Sequence, residues 1–425
     1  MSRFVLGAGV AGLSAGMASG FPVLEREDRP GGVCTSYYRR ENTPERLSDR
    51  SGDDEAYQFE TGGGHWIFGG DPAVLRFIAS LAPIASHQRR ASVFFPETGV
   101  LVPYPLQNHL SALDVGAQAR MLAETSAPRE IRTMRDWLGA SFGEALCQEF
   151  FFPFHELYTA GLYREIAPQD AFKSPRESSA TGYNSRFVYP ERGLSRLVGE
   201  MAARCETRCG NGVVAIDRSS KTLVMQQGAP LSYASLISTL PLQRTLELAG
   251  MAVDCPTDPW TSVLVLNIAA ERGPRCPDEH WLYLPHTTSK FHRVGFYSNV
   301  DESFLPRAER GKRRVVSCYV ERAFVGGDKP TARETREYAA SVTAELRRWG
   351  FIENALIVDP TWIDVAYTWA WPSSRWRAAA IAALEVEGIY PVGRYARWTF
   401  QGIAESMRDG FVAGAAARLQ AAGAV

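Results

Sequence analysis

Apolar and polar positions along the chain alternate in blocks that predict its elements. Ser2-Arg3-Phe4-Val5-Leu6 is a short apolar run, broken by Gly7-Ala8-Gly9-Val10-Ala11-Gly12. A helix-like segment follows, and then the run Phe21-Pro22-Val23-Leu24 ends at Glu25. The pattern predicts strand, glycine turn, helix, strand. Asp71-Pro72-Ala73 predicts a helix to about residue 81, with Asp as N-cap and Pro in the first turn. Residues 99–108 form an extended segment ending in a proline-ordered turn. Over residues 110–158 the period becomes helical, with Leu113, Ala117, Met121, Met134, Leu138, Phe142 and Leu146 at three- and four-residue steps. This predicts a helical lobe with Phe150, Phe151, Phe152 and Phe154 in its core. A helix over 194–204, a hairpin of Val213–Asp217 with Thr222–Met225, and a buried strand over 235–240 follow. Residues 261–301 and 314–320 alternate as an antiparallel sheet, crossed by a helix Ala332–Arg348. Gly388-Ile389-Tyr390-Pro391-Val392-Gly393-Arg394 is a strand running into a glycine, and Gly402-Ile403-Ala404-Glu405-Ser406-Met407 opens the final helix.

The glycine turn gives the first element its chemistry. Gly7 suits the tight turn, Gly9 a close approach of backbone to a pyrophosphate, and Gly12 close packing of helix on sheet. The phosphates then lie at a helix N-terminus, where free N–H groups and the helix dipole attract negative charge. Glu25 is placed for a ribose diol. The second pair, Gly31-Gly32, favours FAD over NAD by its likeness to flavoproteins that bind two dinucleotides. The expected architecture is α/β: a discontinuous Rossmann-type FAD-binding domain (1–104, 186–260 and 386–425), an inserted helical lobe (105–185) and an antiparallel β-sheet substrate domain (261–385). Gly393, Arg394 and Met407 complete the expected cofactor site, where amides of the last helix stabilise negative charge on a reduced flavin.

Composition narrows the picture a little. The 425 residues carry 46 Lys and Arg against 47 Asp and Glu, so neither nucleic acid nor an anionic membrane is an expected partner. Seven scattered cysteines include no zinc spacing and read as free thiols. The absence of a signal peptide or a long apolar run leads to the expectation of a cytoplasmic protein. The dense mixed charge of residues 38–57 predicts a solvated loop without chemistry. In Gly62-Gly63-Gly64-His65, glycines let backbone lie flat against a ligand, and His65 is a candidate contact to the flavin ring near N5.

Four segments, Gly63-Gly64-His65-Trp66-Ile67-Phe68, Val102-Pro103-Tyr104-Pro105-Leu106-Gln107-Asn108, Trp281-Leu282-Tyr283-Leu284-Pro285 with Arg293, and Gly393-Arg394-Tyr395, resemble the UDP-galactopyranose mutases, most closely the eukaryotic-type sequences. The resemblance spans nearly the whole chain. It implies an enzyme that interconverts pyranose and furanose forms of a nucleotide sugar, with reduced FAD N5 as nucleophile at the anomeric carbon and no net redox change. It implies a nucleotide-diphosphate sugar as substrate, NAD(P)H or another reductant to prime the flavin, and no metal; an oligomer remains open. Arg293 matches a diphosphate-binding arginine, and Arg164 is the candidate for a second. Tyr104 and Gln107 fall where the family holds the nucleobase, Asn184 near sugar and diphosphate, and Trp281 and Tyr283 along the site wall.

Departures from the family pattern reshape the expected substrate. Leu106 stands where an aromatic is usual beside the base. Trp371 and Phe400 replace tyrosines near the diphosphate, removing two hydroxyls. These changes favour a different nucleotide or sugar, such as a GDP- or dTDP-linked or deoxygenated hexose. The rivals are an oxidase or desaturase of the amine-oxidase and protoporphyrinogen-oxidase group, which shares the FAD motifs, and a flavin-bound protein with a structural or regulatory role.

Overall fold

In the computed structural model, which describes residues 2–48, 54–113, 130–169 and 184–423, two seven-stranded sheets organise the chain. In the first, parallel strands run in the order Thr207–Arg208, Val23–Leu24, Ser2–Leu6, Leu231–Ser238, with Ile389–Pro391 beside the last. Val5 lies opposite both Val23 and Ile237. Phe4, Val5, Leu6, Val23, Leu24, Leu236, Ile237 and Ile389 are buried at its centre, because both faces of a parallel sheet are covered. The expected hairpin of Val213–Asp217 and Thr222–Met225 extends this sheet.

The glycine-turn helix Val10–Ser19 packs against the sheet, and the C-terminal helix Ile403–Ala421 crosses it at very short range. Glycines make that crossing. A Cβ on Gly410 would lie 2.2 Å from the Ala11 carbonyl oxygen, and one on Gly414 would lie 2.4 Å from that of Ala15.

The second sheet is ordered Ile352–Thr368, Trp260–Arg272, Val315–Val325, Arg293–Phe296, Trp281–Tyr283, Ala91–Phe95, Val100–Pro103. Its neighbours are antiparallel except Trp281–Tyr283 with Ala91–Phe95, which run parallel. The helix Ala332–Arg348 lies where the sequence placed it, closed by a Thr331/Glu334 capping box, with Tyr338, Val342 and Leu346 buried at four-residue steps.

Several features depart from expectation. The hairpin of Ala91–Phe95 and Val100–Pro103, allotted to the FAD-binding domain, hydrogen-bonds to the antiparallel sheet instead. The 17-residue strand Ile352–Thr368 was not foreseen. It is an edge strand with Asp359 and Pro360 at its middle, so no apolar alternation marks it. Helix Trp376–Val386, allotted to the substrate domain, buries Trp376, Ala380 and Leu384 in the core of the first sheet. The helical lobe contains Met134–Phe142 and Phe152–Tyr158; Ala117 and Met121 lie outside the described residues.

The charged stretch 38–57 is more than a solvated loop. Arg46 donates from Nε and Nη2 to the two carboxylate oxygens of Asp359, each at 2.9 Å, and lies over the Tyr37 ring. It thereby ties this stretch to the edge of the antiparallel sheet.

Glu60, at the end of strand Tyr57–Glu60, is fully buried. It accepts hydrogen bonds from the Tyr189 hydroxyl and, at 2.8 Å, from Ser36 Oγ. Burial outweighs these bonds and raises its pKa from 4.5 to about 7. The folded state therefore favours protonated Glu60, and this contribution is complete below about pH 4.5 and lost as pH rises through about 7.

Two outcomes follow for denaturation experiments. Urea midpoints of the wild type should fall between pH 4.5 and 7 more steeply than those of Glu60→Gln; parallel curves would show that Glu60 does not titrate in this range. Gly414→Leu should destabilise the protein by about 1–3 kcal/mol or more through overpacking, whereas Ala415→Leu on the exposed face should leave the midpoint unchanged.

Candidate active site

One cavity of about 1390 Å³ runs from the glycine turn to the antiparallel sheet and the helical lobe. At its first end Gly7 leaves the strand with φ +93°, and a Cβ there would lie 2.7 Å from Thr239 Oγ1. On Gly12 a Cβ would sit 1.8 Å from the Gly7 carbonyl oxygen, so neither Gly7 nor Gly12 tolerates a side chain. Gly9 is different: a Cβ there would meet nothing within 4 Å, because it faces the cavity. It is also the N-cap of helix Val10–Ser19 and offers no side-chain cap. Glu25 accepts from the N–H of Ala8 at 2.7 Å and of Glu27 at 3.0 Å. Gly31 and Gly32 both have positive φ, and both line the cavity.

The final helix contributes a second N-terminus. Gly402 is its N-cap, again without a side-chain cap, and Gly402, Ile403 and Ser406 line the cavity. Met407, expected at the cofactor, is instead fully buried in the core, because one further residue turns the side chain away from the cavity. Gly393 has φ +84° and packs on Ala11, where a Cβ would approach to 2.7 Å. Arg394 spans the carbonyls of Gln401, at 2.7 Å, and Ala366, at 3.0 Å, and lies over the Phe400 ring. Its buried Nε has no hydrogen-bond partner.

Between the two ends lies the glycine loop. A Cβ on Gly63 would come within 2.8 Å of Glu321 Oε1, and one on Gly64 within 2.0 Å of the Tyr319 hydroxyl. His65 lines the cavity with Nδ1 unpartnered, and burial lowers its pKa to about 4, so the ring is neutral near pH 7.

At the sheet end, Arg293 Nε donates to Glu321 Oε2 at 2.9 Å, and Nη2 reaches the same oxygen. Burial would raise the Glu321 pKa, but Arg293 and His292 outweigh it and hold it at about 2. Tyr283 lies opposite Arg293 across the strands, and its ring is 4.6 Å from that of Tyr104. Arg89 lies over the other side of this wall, 5.0 Å from the Tyr104 ring centroid.

The cavity therefore gathers Tyr104, Asn184, Trp281, Tyr283, Arg293, Phe400, His65 and Arg394 from distant parts of the chain. Besides Met407, three residues expected on the substrate side are elsewhere. Arg164 is half-exposed and paired to Glu156 at 2.7 Å, outside the cavity wall. Gln107 follows buried Leu106 in a 3-10 turn and is not a lining residue. Trp371 donates its indole N–H to the Thr257 carbonyl at 3.0 Å and is turned away.

Other lining residues were not foreseen: Glu321, Arg89, Phe154, Tyr158 and Tyr367. Glu321 left one signal, as a lone carboxylate ending the uncharged run Val315-Val316-Ser317-Cys318-Tyr319-Val320. Phe154, expected in the lobe core, packs edge-on to Tyr283 at the cavity wall.

Residues 13–423 match the family of flavin-containing amine oxidoreductases. Among solved structures, a reduced UDP-galactopyranose mutase superposes with a TM-score of 0.80 at 20% identity, covering 100% of this chain and 96% of its own. Cyclohexylamine oxidase from Brevibacterium oxydans IH-35A gives 0.63 at 13%, covering 99% of each chain. Wild-type putrescine oxidase bound to putrescine gives 0.62 at 14%, covering 98% of each. At such identities the likeness is one of fold.

The family implies a flavin cofactor, and the residues present fit it. Open space over Gly9, two helix N-termini without side-chain caps, and the unpartnered Arg394 Nε border the same cavity. Among the described residues no helix is long and apolar enough to cross a membrane, and no group of His, Cys, Asp or Glu is arranged to hold a metal.

The Arg293 and Glu321 pair makes a measurable commitment. Arg293→Met leaves a buried carboxylate without its partner, which should cost about 3–5 kcal/mol in chemical denaturation. Adding Glu321→Gln should restore most of that loss. In the wild type the Glu321 contribution is fully present above about pH 4.5 and lost as pH falls through about 2, so the single variant should lose this part of the acid transition.

Proposed function

Since the chain belongs to the family of flavin-containing amine oxidoreductases, we propose that it is an FAD-dependent nucleotide-sugar mutase, acting in the cytoplasm on the pyranose and furanose forms of an NDP-hexose. The observation that carries this is the Arg293 guanidinium on the cavity wall beside Tyr283, braced by Glu321 through Nε and Nη2, with neighbouring His65 neutral. A guanidinium offers a phosphate oxygen planar N–H donors, which a protonated amine cannot use.

When bound and reduced by NAD(P)H or another reductant, FAD supplies the nucleophilic N5 for the anomeric carbon, with no net redox change. The protein's work is binding and orientation. Arg293, braced by Glu321 through Nε and Nη2, keeps Nη1 for a phosphate oxygen as the diphosphate leaves and returns. Tyr283 offers a hydroxyl beside it. Trp281 and Asn184 bound the sugar, and Tyr104 supports the base. His65, neutral and next to the glycine loop, offers one nitrogen as donor and the other as acceptor.

The test is chromatography of UDP-, GDP- and dTDP-hexoses after incubation with oxidised or dithionite-reduced protein. A product of unchanged mass should form only with reduced enzyme. Arg293→Lys, which keeps the charge but loses the planar fork, should slow it at least roughly thirtyfold, the equivalent of about 2 kcal/mol. No isomerisation of any sugar, together with anaerobic bleaching of the oxidised flavin by an amine or a porphyrinogen, would assign the protein to the oxidases instead.

A further inference from the structure

His292, the residue before Arg293, is 1% exposed and lines the cavity. Its backbone is pinned between strands: the N–H donates to the Glu321 carbonyl, and the carbonyl accepts from the Leu284 N–H, each at 3.0 Å. Phe154 and Tyr158, on the lobe helix Phe152–Tyr158, meet the imidazole edge-on with centroids at 6.2 and 5.3 Å. Neither ring nitrogen makes a hydrogen bond. Nε2 lies 3.6 Å from Glu321 Oε2, within ion-pair reach of that carboxylate yet too far for a hydrogen bond. Buried polar atoms nearly always have a partner, so two idle nitrogens beside a carboxylate point to a liganded site in which they are used.

The charge around His292 identifies that use. Arg293 is balanced by Glu321, so this stretch of wall is neutral, whereas a diphosphate brings two negative charges. The second arginine expected to meet them, Arg164, lies off the cavity and is paired with Glu156. A proton can supply the missing charge, and three groups close to Arg293 could accept it. Glu321 would have to climb from about 2. His65 is opposed by Arg394 as well as by Arg293. His292 is lowered by burial and opposed by Arg293, but an imidazole ordinarily titrates near neutrality, and Glu321 stands at ion-pair distance to favour its charge. The other titratable groups packed around it are the phenols of Tyr158 and, across Phe154, Tyr283, with Tyr367 against Tyr158. His155, on the same lobe helix, turns its Nδ1 to the Phe151 carbonyl at 2.7 Å. On the footing of the nucleotide-sugar assignment above, we propose that His292 is the second cation of the diphosphate clamp: neutral in the empty cavity, it takes a proton from solvent as the diphosphate binds Arg293. Once charged, it shares Glu321 with Arg293 and frees the guanidinium for phosphate oxygens.

The test is titration calorimetry of the oxidised, FAD-loaded full chain with UDP-, GDP- and dTDP-glucose, in buffers of differing ionisation enthalpy, using wild type, His292→Phe and His292→Gln. The diphosphate of these ligands is a diester without a proton that titrates near neutrality, so proton uptake reports the protein. Flavin content and thermal midpoint establish that each variant folds. With its best ligand the wild type should take up at least about half a proton near pH 6.5. Because the bound form then holds more protons than the free form, its affinity should fall by up to about tenfold per pH unit as pH rises. Both variants should take up less than about a tenth of a proton and bind about tenfold or more weaker than wild type at about pH 6, converging with it to within about threefold at about pH 8.5. If the wild type binds its best ligand without proton uptake, or the uptake persists in either variant, His292 is not the second cation and the nucleotide assignment stands. If the wild type binds none of the three, the nucleotide assignment fails and this role fails with it.

Discussion

The close crossing of the first and last helices is the constraint on which the rest of the molecule depends. Helix Val10–Ser19 and helix Ile403–Ala421 meet through Gly410 and Gly414 against the carbonyls of Ala11 and Ala15. At that range both helices direct their N-termini at one cavity, from opposite ends of the chain. Each N-terminus carries a partial positive charge, so the cavity has two backbone sites that favour an anion. Gly393, packed on Ala11, fixes the strand that feeds the second helix.

At the other end of the cavity the protein uses full charges, and burial makes their pairing decisive. Glu321 stays ionised because Arg293 and His292 outweigh its desolvation. Glu60, equally buried but bonded only to neutral groups such as Tyr189 and Ser36, has a pKa raised to about 7. His65 stays neutral because burial outweighs the attraction of Glu321. Three ionisable side chains close to one loop thus hold three different states, and the difference lies in what each one touches. The result is a cavity wall with a paired guanidinium at Arg293 and a neutral ring at His65.

Much of the fold was legible from residues whose sterics admit one solution. Gly7 and Gly12 occupy positions where any side chain would strike the backbone or Thr239, so the glycine turn announces itself. The helix Ala332–Arg348 announces itself through its capping box and four-residue apolar steps. The edge strand Ile352–Thr368 does not, because its Asp359 is stabilised by Arg46, from a stretch whose charge pointed to solvent. Within the site, resemblance to the mutase segments could nominate Arg164 but could not show that Glu156 holds it at the surface. Arg89 was overlooked for the converse reason: nothing in Gln88-Arg89-Arg90 reveals that the Tyr104 ring lies beneath it. Met407 was misplaced by a single residue of helical phase.

The parallel pairing of the first strand has a consequence for synthesis. Val5 is flanked by Val23, close in sequence, and by Ile237, which the ribosome adds more than two hundred residues later. At typical elongation rates of about 5–20 residues per second, that partner arrives on the order of 10–50 s after the first strand. Until then the apolar edge of Ser2–Leu6 is an open template for strand pairing. The nascent chain therefore carries that strand with one edge unpaired until most of the sequence has been made.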